Sequence, residues 1–173
     1  VPTLQTERLI LSAHRLEDFA ECLALWADPE VTRHITGRPS TKEEVWARIL
    51  RYVGHWALLG FGYWVVREKD SGRFVGEVGF ADFMREVEPS LDGDPEAGWV
   101  LAPWAHGRGL ATEAVRAIIA WAAQHLRSRR IVCMIAPDNV ASVRVALKCG
   151  YKEFARTTYK GEPTILFSRA LNE

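Results

Sequence analysis

The sequence predicts an α/β (α+β) domain whose central sheet is mixed but mostly antiparallel, with about seven strands and four helices. Two observations predict it. Strand-like segments joined by short polar turns occur in the middle and at the end of the chain, as in β-hairpins. Between them a strand, a long helical stretch and another strand follow in order, which is the pattern of a parallel βαβ crossover. The predicted order is βααβββαβαββ.

Size and composition favour a single domain over residues 1–173. The 22 basic and 22 acidic residues cancel, so charge gives no reason to expect nucleic acid or a membrane as a partner. No apolar run approaches the roughly 20 residues of a membrane span, and the start lacks a signal-peptide layout. Three scattered cysteines and the absence of zinc-like Cys/His spacing predict a cytoplasmic protein without a metal.

The first half of the chain predicts one strand, two helices and a hairpin. The strand is "RLILSA" at 8–13, and "LEDFAECLALWAD" then has apolar residues at helical spacing, with Pro29 closing that helix. Ser40 followed three residues later by Glu43 predicts a capping box that opens a second helix through about Leu59. Strands at 63–68 and 73–83 flank the turn "KDSG" and form the hairpin.

The second half predicts the crossover and a second pair of strands. "AGWVL" at 97–101 is a short strand that Pro103 stops, and a long helix follows the glycines of "WAHGRGLATEA". A buried-type strand at 130–136 leads to a helix that starts at Asn139 and ends at a Gly150 cap. "YKEFARTTY" and "PTILFSRAL", joined by the turn "KGEP", are the last two strands.

Gly107 and Gly109, immediately before a helix, admit three interpretations. They shape a loop, form a dinucleotide-binding turn, or clear space for an anion at the helix N-terminus, where main-chain N–H groups lack partners. The dinucleotide motif requires Gly or Ala where Thr112 stands, and an acidic residue about 20 residues further on, so we reject it. Arg108 is either a cationic contact to the anion or a solvated surface residue.

Three segments together resemble one enzyme family. "HGRGLA" is similar to the R/Q-x-x-G-x-G/A signature of the GCN5-related N-acetyltransferases (GNAT), although His106 stands where that family usually has Gln or Arg. "GWVLAPWAHGRGLATEA" and the opening "TERLIL" resemble the RimJ/RimL-like branch, which acetylates the N-termini of ribosomal proteins. "DNVASVRVALKCGY" resembles that branch's second motif, N-x-x-S-x-x-x-x-x-K-x-G-F/Y. The resemblance spans nearly the whole chain and implies the GNAT fold.

The resemblance implies acetyl-coenzyme A as the cosubstrate, with its pyrophosphate on the main-chain amides of the glycine segment. It also implies that the strand at 97–101 splays from the strand at 130–136, so that a free N–H near Leu101 polarises the thioester carbonyl. Asn139 either binds the pantetheine arm or caps its helix. The implied cofactor-binding residues are Val100, Leu101, Ala102, His106, Gly107, Arg108, Gly109, Leu110, Ala111, Thr112, Asn139 and Ser142.

The chemistry implied is direct attack of an amine on the thioester, which requires a base and a proton donor. Many GNAT relatives place a donor Tyr where this chain has Ala146, so we expect Ser142 to substitute, unless it serves only the helix start. The base candidates are Glu77, whose carboxylate interrupts the apolar strand "FVGEVGF", and Glu96, next to the strand that polarises the carbonyl; a chain of waters is the alternative.

The acceptor expected is a primary amine, either a protein N-terminal α-amine or a small amine. The acidic loop "REVEPSLDGDPE" is either an attractive mouth for a cation or simply a solvated loop. An α-amine, with a pKa near about 8, loses its proton more readily than a lysine. The competing hypothesis is a non-catalytic acyl-CoA-binding sensor, which the missing Tyr favours. The sequence leaves a homodimer open.

Overall fold

The computed structural model describes residues 1–171 and contains one eight-stranded sheet in the order β1-β2-β3-β4-β5-β6-β8-β7. The strands are β1 (Leu4–Gln5), β2 (Leu9–Ser12), β3 (Tyr63–Glu68), β4 (Phe74–Ala81), β5 (Glu96–Leu101), β6 (Arg130–Ile135), β7 (Lys152–Tyr159) and β8 (Glu162–Ala170). The helices are α1 (Phe19–Ala27), α2 (Pro29–Thr32), α3 (Lys42–Leu59), α4 (Leu110–His125) and α5 (Val140–Lys148).

The mixed, mostly antiparallel sheet is confirmed. Every neighbouring pair of strands within residues 1–171 is antiparallel except β5 and β6, which the crossover helix α4 connects in parallel. The structure adds β1 and α2 to the predicted elements. Both are too short, at two and four residues, for hydrophobic periodicity to reveal them.

One predicted helix boundary is wrong. The capping box of α3 uses Thr41 and Glu44 rather than Ser40 and Glu43: the Thr41 hydroxyl accepts from the Glu44 N–H at 3.2 Å, and the Glu44 carboxylate accepts from the Thr41 N–H at 2.8 Å. Ser40 is buried, and its own N–H donates to a carbonyl of α1. The end of the first helix before Pro29 is confirmed, and Pro29 also opens α2 at its first position, where a missing N–H costs nothing.

The sheet separates two layers of helices. On one face α4 packs over β2, β4 and β5, and it buries the largest apolar cluster. On the other face α1 and α3 cover β3, β4 and β5, with a second cluster around Trp26 and Val100. Because side chains alternate along a strand, β5 directs Leu101 towards α4 and Val100 towards α1. Residues at the end of β5 therefore reach both faces.

The predicted splay of the central strands is present. β5 and β6 pair at one position, Glu96 with Val132, and the Val132 N–H donates to the Pro95 carbonyl at 3.0 Å. No further rung between these two strands occurs in residues 1–171, whereas β4 and β5 pair from Gly76–Leu101 to Ala81–Glu96. The sheet is thus open beside the last residues of β5.

Candidate active site

The opening in the sheet exposes main-chain groups of Leu101. The Ala102 N–H donates to the Val75 carbonyl at 2.8 Å, so Leu101 faces Gly76 as a non-hydrogen-bonded pair of the antiparallel ladder. The N–H and C=O of Leu101 therefore point away from β4 and towards the gap. By the same alternation, the main-chain groups of Val100 and Ala102 face β4. Of the three residues expected to contact a ligand through the main chain here, only Leu101 is therefore available.

The segment before α4 forms a cradle of free N–H donors. After residue 106, Glu113 is the first residue whose N–H has an acceptor: it donates to the Gly109 carbonyl at 3.1 Å. Within residues 1–171 we find no acceptor for the N–H groups of residues 107–112. Gly107 and Gly109 have φ of +72° and +74°, a conformation that glycine adopts without strain, and no atom lies within 4 Å of a Cβ built on Gly107. The cradle is open and suits an anion.

His106 links this cradle to the gap in the sheet. Its N–H already donates to the Pro103 carbonyl at 3.1 Å, so the main-chain contact expected there is not available to a ligand. Its ring Nε2 lies 2.8 Å from the Leu101 carbonyl oxygen. Because a carbonyl oxygen only accepts, Nε2 carries the hydrogen and donates it in this bond. The bond occupies the Leu101 carbonyl and leaves the Leu101 N–H facing the opening.

Arg8 and Glu113 hold the cradle in place, and no motif in the sequence predicted this role. Arg8 Nη1 donates to the Arg108 carbonyl at 2.8 Å and Arg8 Nε to Glu113 Oε2 at 2.7 Å, while the Thr6 hydroxyl donates to Glu113 Oε1 at 2.6 Å. The pair joins the strand β2 region to the first turn of α4. The side chain of Arg108 pairs with Glu68 at 2.9 Å, so only its main chain contributes to the cradle.

The start of α5 lies at the other strand of the gap, β6. Asn139 is the N-cap of α5, and its Oδ1 accepts from the Ser142 N–H at 3.3 Å. The cap uses the amide oxygen only, so the amide nitrogen of Asn139 keeps its donor capacity for a ligand. Ser142 is half-buried, whereas Ala146, at the position of the family's Tyr, is fully buried.

Glu77 is enclosed beneath α1, with 0% of its surface exposed. Its Oε1 lies 2.7 Å from His14 Nε2 and accepts from Cys22 Sγ at 3.3 Å, and its Oε2 accepts from Trp26 Nε1 at 2.7 Å. These donors satisfy the carboxylate, so burying it is tolerated. They also occupy both carboxylate oxygens, so a proton that reaches Glu77 would pass through one of these three side chains, of which His14 is the one suited to proton transfer.

The ligating atoms of His14, Cys22 and Glu77 lie within 4.8 Å of one another, a spacing that a metal ion accepts. Burial, reinforced by the negative charge of Glu77, raises the pKa of the Cys22 thiol and disfavours the thiolate that a metal needs. The cluster therefore fits a hydrogen-bonded network better than a metal centre.

Glu96, the other base candidate, is 8% exposed and holds both carboxylate oxygens against Arg85, at 2.6 Å to Nε and 2.8 Å to Nη2. Asp94 of the same loop pairs with Arg130 at 2.7 Å. Of the five acids in this loop, Glu86, Glu88 and Asp92 are exposed. Only these three carboxylates of the loop are therefore exposed to attract a cationic acceptor.

A sheet opened between two parallel strands, with free N–H groups at the start of the crossover helix, is typical of an acyl-group transferase. The chain belongs to the acetyltransferase (GNAT) domain family, whose sequence model matches residues 8–152.

Individual proteins agree with this assignment. An uncharacterized N-acetyltransferase of Bacillus licheniformis, p20, is 29% identical over 144 residues, which cover 83% of this chain and 78% of that protein. A Bordetella pertussis structure described as a GnaT-family acetyltransferase superimposes with a TM-score of 0.87 at 29% identity, covering 98% and 100% of the two chains. Spermidine N-acetyltransferase from Vibrio cholerae, solved with CoA and spermine, shares the fold at 17% identity, with a TM-score of 0.74 and coverage of 96% and 97%.

Among residues 1–171, no helix combines the length and the apolar character needed to cross a bilayer.

Proposed function

We propose that this protein, acting as one domain, transfers the acetyl group of acetyl-CoA to a primary amine, either a peptide N-terminus in the manner of the RimJ/RimL-like branch or a small amine. The observation that carries the proposal is the single rung between β5 and β6, which leaves the Leu101 N–H facing an opening beside the free amides of residues 107–112. Such an arrangement fits a ligand with a diphosphate at one end and a thioester at the other.

The donor fits the residues present. The amides of residues 107–112 would hold its pyrophosphate, and the Asn139 amide nitrogen together with the gap would hold the pantetheine arm. The buried indole N–H of Trp99, which has no acceptor among residues 1–171, is a further donor on β5. The CoA bound by the Vibrio cholerae relative supports the same choice of donor. When bound, acetyl-CoA supplies an activated acetyl group.

The chain's own groups would then serve the transfer. The Leu101 N–H stabilises the negative charge that develops on the carbonyl oxygen. Glu96 accepts the amine proton through a water, because Arg85 holds its carboxylate at the edge of the gap; Glu77 is the alternative and acts through His14. Ser142 donates a proton to the departing sulfur, and the proton taken up by Glu96 returns to Ser142 through solvent, so both groups end as they began.

Two measurements test this function. Calorimetry with CoA measures binding, and the release of free thiol from acetyl-CoA measures turnover on a panel of amines. The thiol assay is clean here because Cys22, Cys133 and Cys149 are buried, and burial raises their pKa. Micromolar binding with turnover supports the transferase. Binding without turnover on any amine supports the sensor, which Ala146 favours, and absence of binding contradicts the cradle.

The base is identified by substitution. Glu96→Gln is expected to lower kcat near neutral pH by about 10²-fold, with the loss shrinking at higher pH as the amine deprotonates by itself. Glu77→Gln, with the same change in charge, is the matched variant. Glu77→Gln is expected to be less stable, so both variants are assayed at a temperature at which circular dichroism shows them folded. A loss confined to folded Glu77→Gln would transfer the role of base to the Glu77–His14 pair.

A further inference from the structure

Two arginines on α3, Arg48 and Arg51, lie on the side of the sheet opposite α4 and have no ion-pair partner among residues 1–171. No carboxylate among residues 1–171 lies within 4.0 Å of either guanidinium. The acids on this face are already engaged: Glu77 by its three donors, and Glu96 by Arg85. The arginines therefore have no counter-ion in the described part of the chain.

Aromatic rings hold both guanidinium groups in position. Arg48 Cζ lies 3.6 Å from the centre of the Trp26 ring, and its Nε is buried without a hydrogen-bond partner among the described residues. Arg51 Cζ lies 4.9 Å from the Phe83 ring, and Arg85 Cζ lies 4.7 Å from the same ring. Stacking fixes a guanidinium and leaves its edge free to donate.

The two arginines lie beside a pair of tyrosines that leads to β5. Tyr52, one turn after Arg48, stacks on Tyr63 with ring centres 4.0 Å apart and planes 4° apart. The Tyr63 side chain lies over Gly79 of β4 and Gly98 of β5, and a Cβ on Gly98 would overlap its hydroxyl. Gly98 belongs to β5 just before the residues that border the gap. The arginines are thus connected through Tyr52 and Tyr63 to the part of β5 that no longer pairs with β6, and an acceptor that enters there from the α3 side would meet them.

Electrostatics agrees with a missing anion. Partial burial of the guanidinium, together with the positive charges of Arg48 and Arg85, lowers the pKa of Arg51, although the group stays charged at neutral pH. An anion bound between the guanidinium groups would relieve this repulsion. A polycation would increase it, although the exposed acids of the loop at 82–95 would attract one at the periphery.

We infer that the acceptor is a small amine that carries a carboxylate, and that Arg48 and Arg51 bind this carboxylate and thereby direct the amine to the Leu101 side of the gap. This rests on the proposed function and restricts it to amino-acid-like acceptors. It sets this protein apart from its Vibrio cholerae relative, whose bound spermine has no acidic group.

The first test uses the wild-type protein and pairs of acceptors that differ in one group: amino acids and their amides. The thiol-release assay at fixed saturating acetyl-CoA gives kcat/KM for each. Since a hydrogen-bonded charge contributes roughly ten- to a hundredfold in affinity, we expect kcat/KM to fall at least tenfold from an acid to its amide. Equal or faster turnover of the amides, or a preference for polyamines, overturns the inference and leaves the proposed transferase intact. Failure of every amine overturns both.

The second test assigns the effect to the arginines. Arg51→Gln and Arg48→Gln are each expected to raise KM for the amino acid at least tenfold, to change kcat/KM for the amide little, and to leave KM for acetyl-CoA unchanged. Arg127→Gln, an exposed arginine between α4 and β6, is the matched control. Because Arg48 packs on Trp26, melting temperatures accompany the kinetics. An unchanged acid-to-amide ratio in a folded Arg51→Gln protein contradicts the assignment.

Discussion

A single added methyl group on Gly107 provides a sharp test of the anion cradle. Gly107 lies in the run of free amides, has φ of +72°, and has no atom within 4 Å of its Cβ position. An alanine there clashes with no protein atom, so its structural cost is the backbone strain alone, about 1–2 kcal/mol. For a domain of this size that strain lowers the melting temperature by roughly 2–8 °C.

Gly60→Ala is the matched control for Gly107→Ala. Gly60 ends α3 with φ of +74° and also has nothing within 4 Å of its Cβ position. The two variants should therefore lose the same stability, because they carry the same strain. Only Gly107→Ala places a methyl group in the space that a diphosphate would share with the amides of residues 107–112.

The assay is calorimetric titration of CoA into both variants and the wild-type protein. Weakening or losing one charge-assisted N–H contact should raise the Kd of Gly107→Ala about ten- to a hundredfold. Gly60→Ala should bind as the wild type does. If both variants melt alike and both bind CoA with the wild-type Kd, the cradle is not where the pyrophosphate lies, and the proposal based on it is refuted.

Three further outcomes are expected. Arg8→Gln should raise the Kd for CoA about tenfold without changing kcat, because it frees the loop at the Arg108 carbonyl; an unchanged Kd would make the clamp purely structural. Glu77→Gln breaks a buried network and should cost about 3 kcal/mol in denaturant unfolding, whereas an unaltered midpoint would contradict the enclosed geometry. Burial favours the protonated form of Glu113, but hydrogen bonds from Thr6 and Arg8 outweigh burial and hold the pKa of this carboxyl below its ordinary value. The stability that Glu113 contributes is therefore present above about pH 4.5 and is lost as the pH falls through the lowered pKa. Glu113→Gln should flatten that part of the curve of unfolding free energy against pH.

The elements that the sequence predicted well are those with long periodic patterns. α4 and the hairpin β3–β4 lie where periodicity places them, within a few residues. The open loop at Gly107 and Gly109 was also predictable, because glycines before a helix favour backbone with positive φ, whereas anion binding there stays a prediction. The capping box of α3 was misplaced by one residue because both "ST" and "EE" offer suitable residues in adjacent registers, and only burial of Ser40 decides between them.

Pairings between distant residues were beyond the sequence. Glu77 was identified as an unusual carboxylate in an apolar strand, but its donors come from residues 51 to 63 positions earlier, which only the packing of α1 on β4 brings together. The partner of Glu96 was hidden for a different reason. Arg85 is in a loop that charge patterning predicts to be solvated, whereas Val87 and Leu91 bury part of this loop against β6 and β8.

The register between β4 and β5 connects the fold to the proposed chemistry. Gly76 faces Leu101, and a Cβ on Gly76 would overlap the Val100 carbonyl, so a glycine is needed for the strands to approach in this register. A slip by one residue would turn the Leu101 N–H towards β4 and the Val100 N–H towards the gap. The same slip of β5 would exchange Leu101 and Val100 between the two faces and remove each from its apolar cluster, Leu101 from the one beneath α4 and Val100 from the one beneath α1. The packing of these two side chains thus opposes the slip, and in this way the two-sided core helps to keep the Leu101 N–H facing the gap.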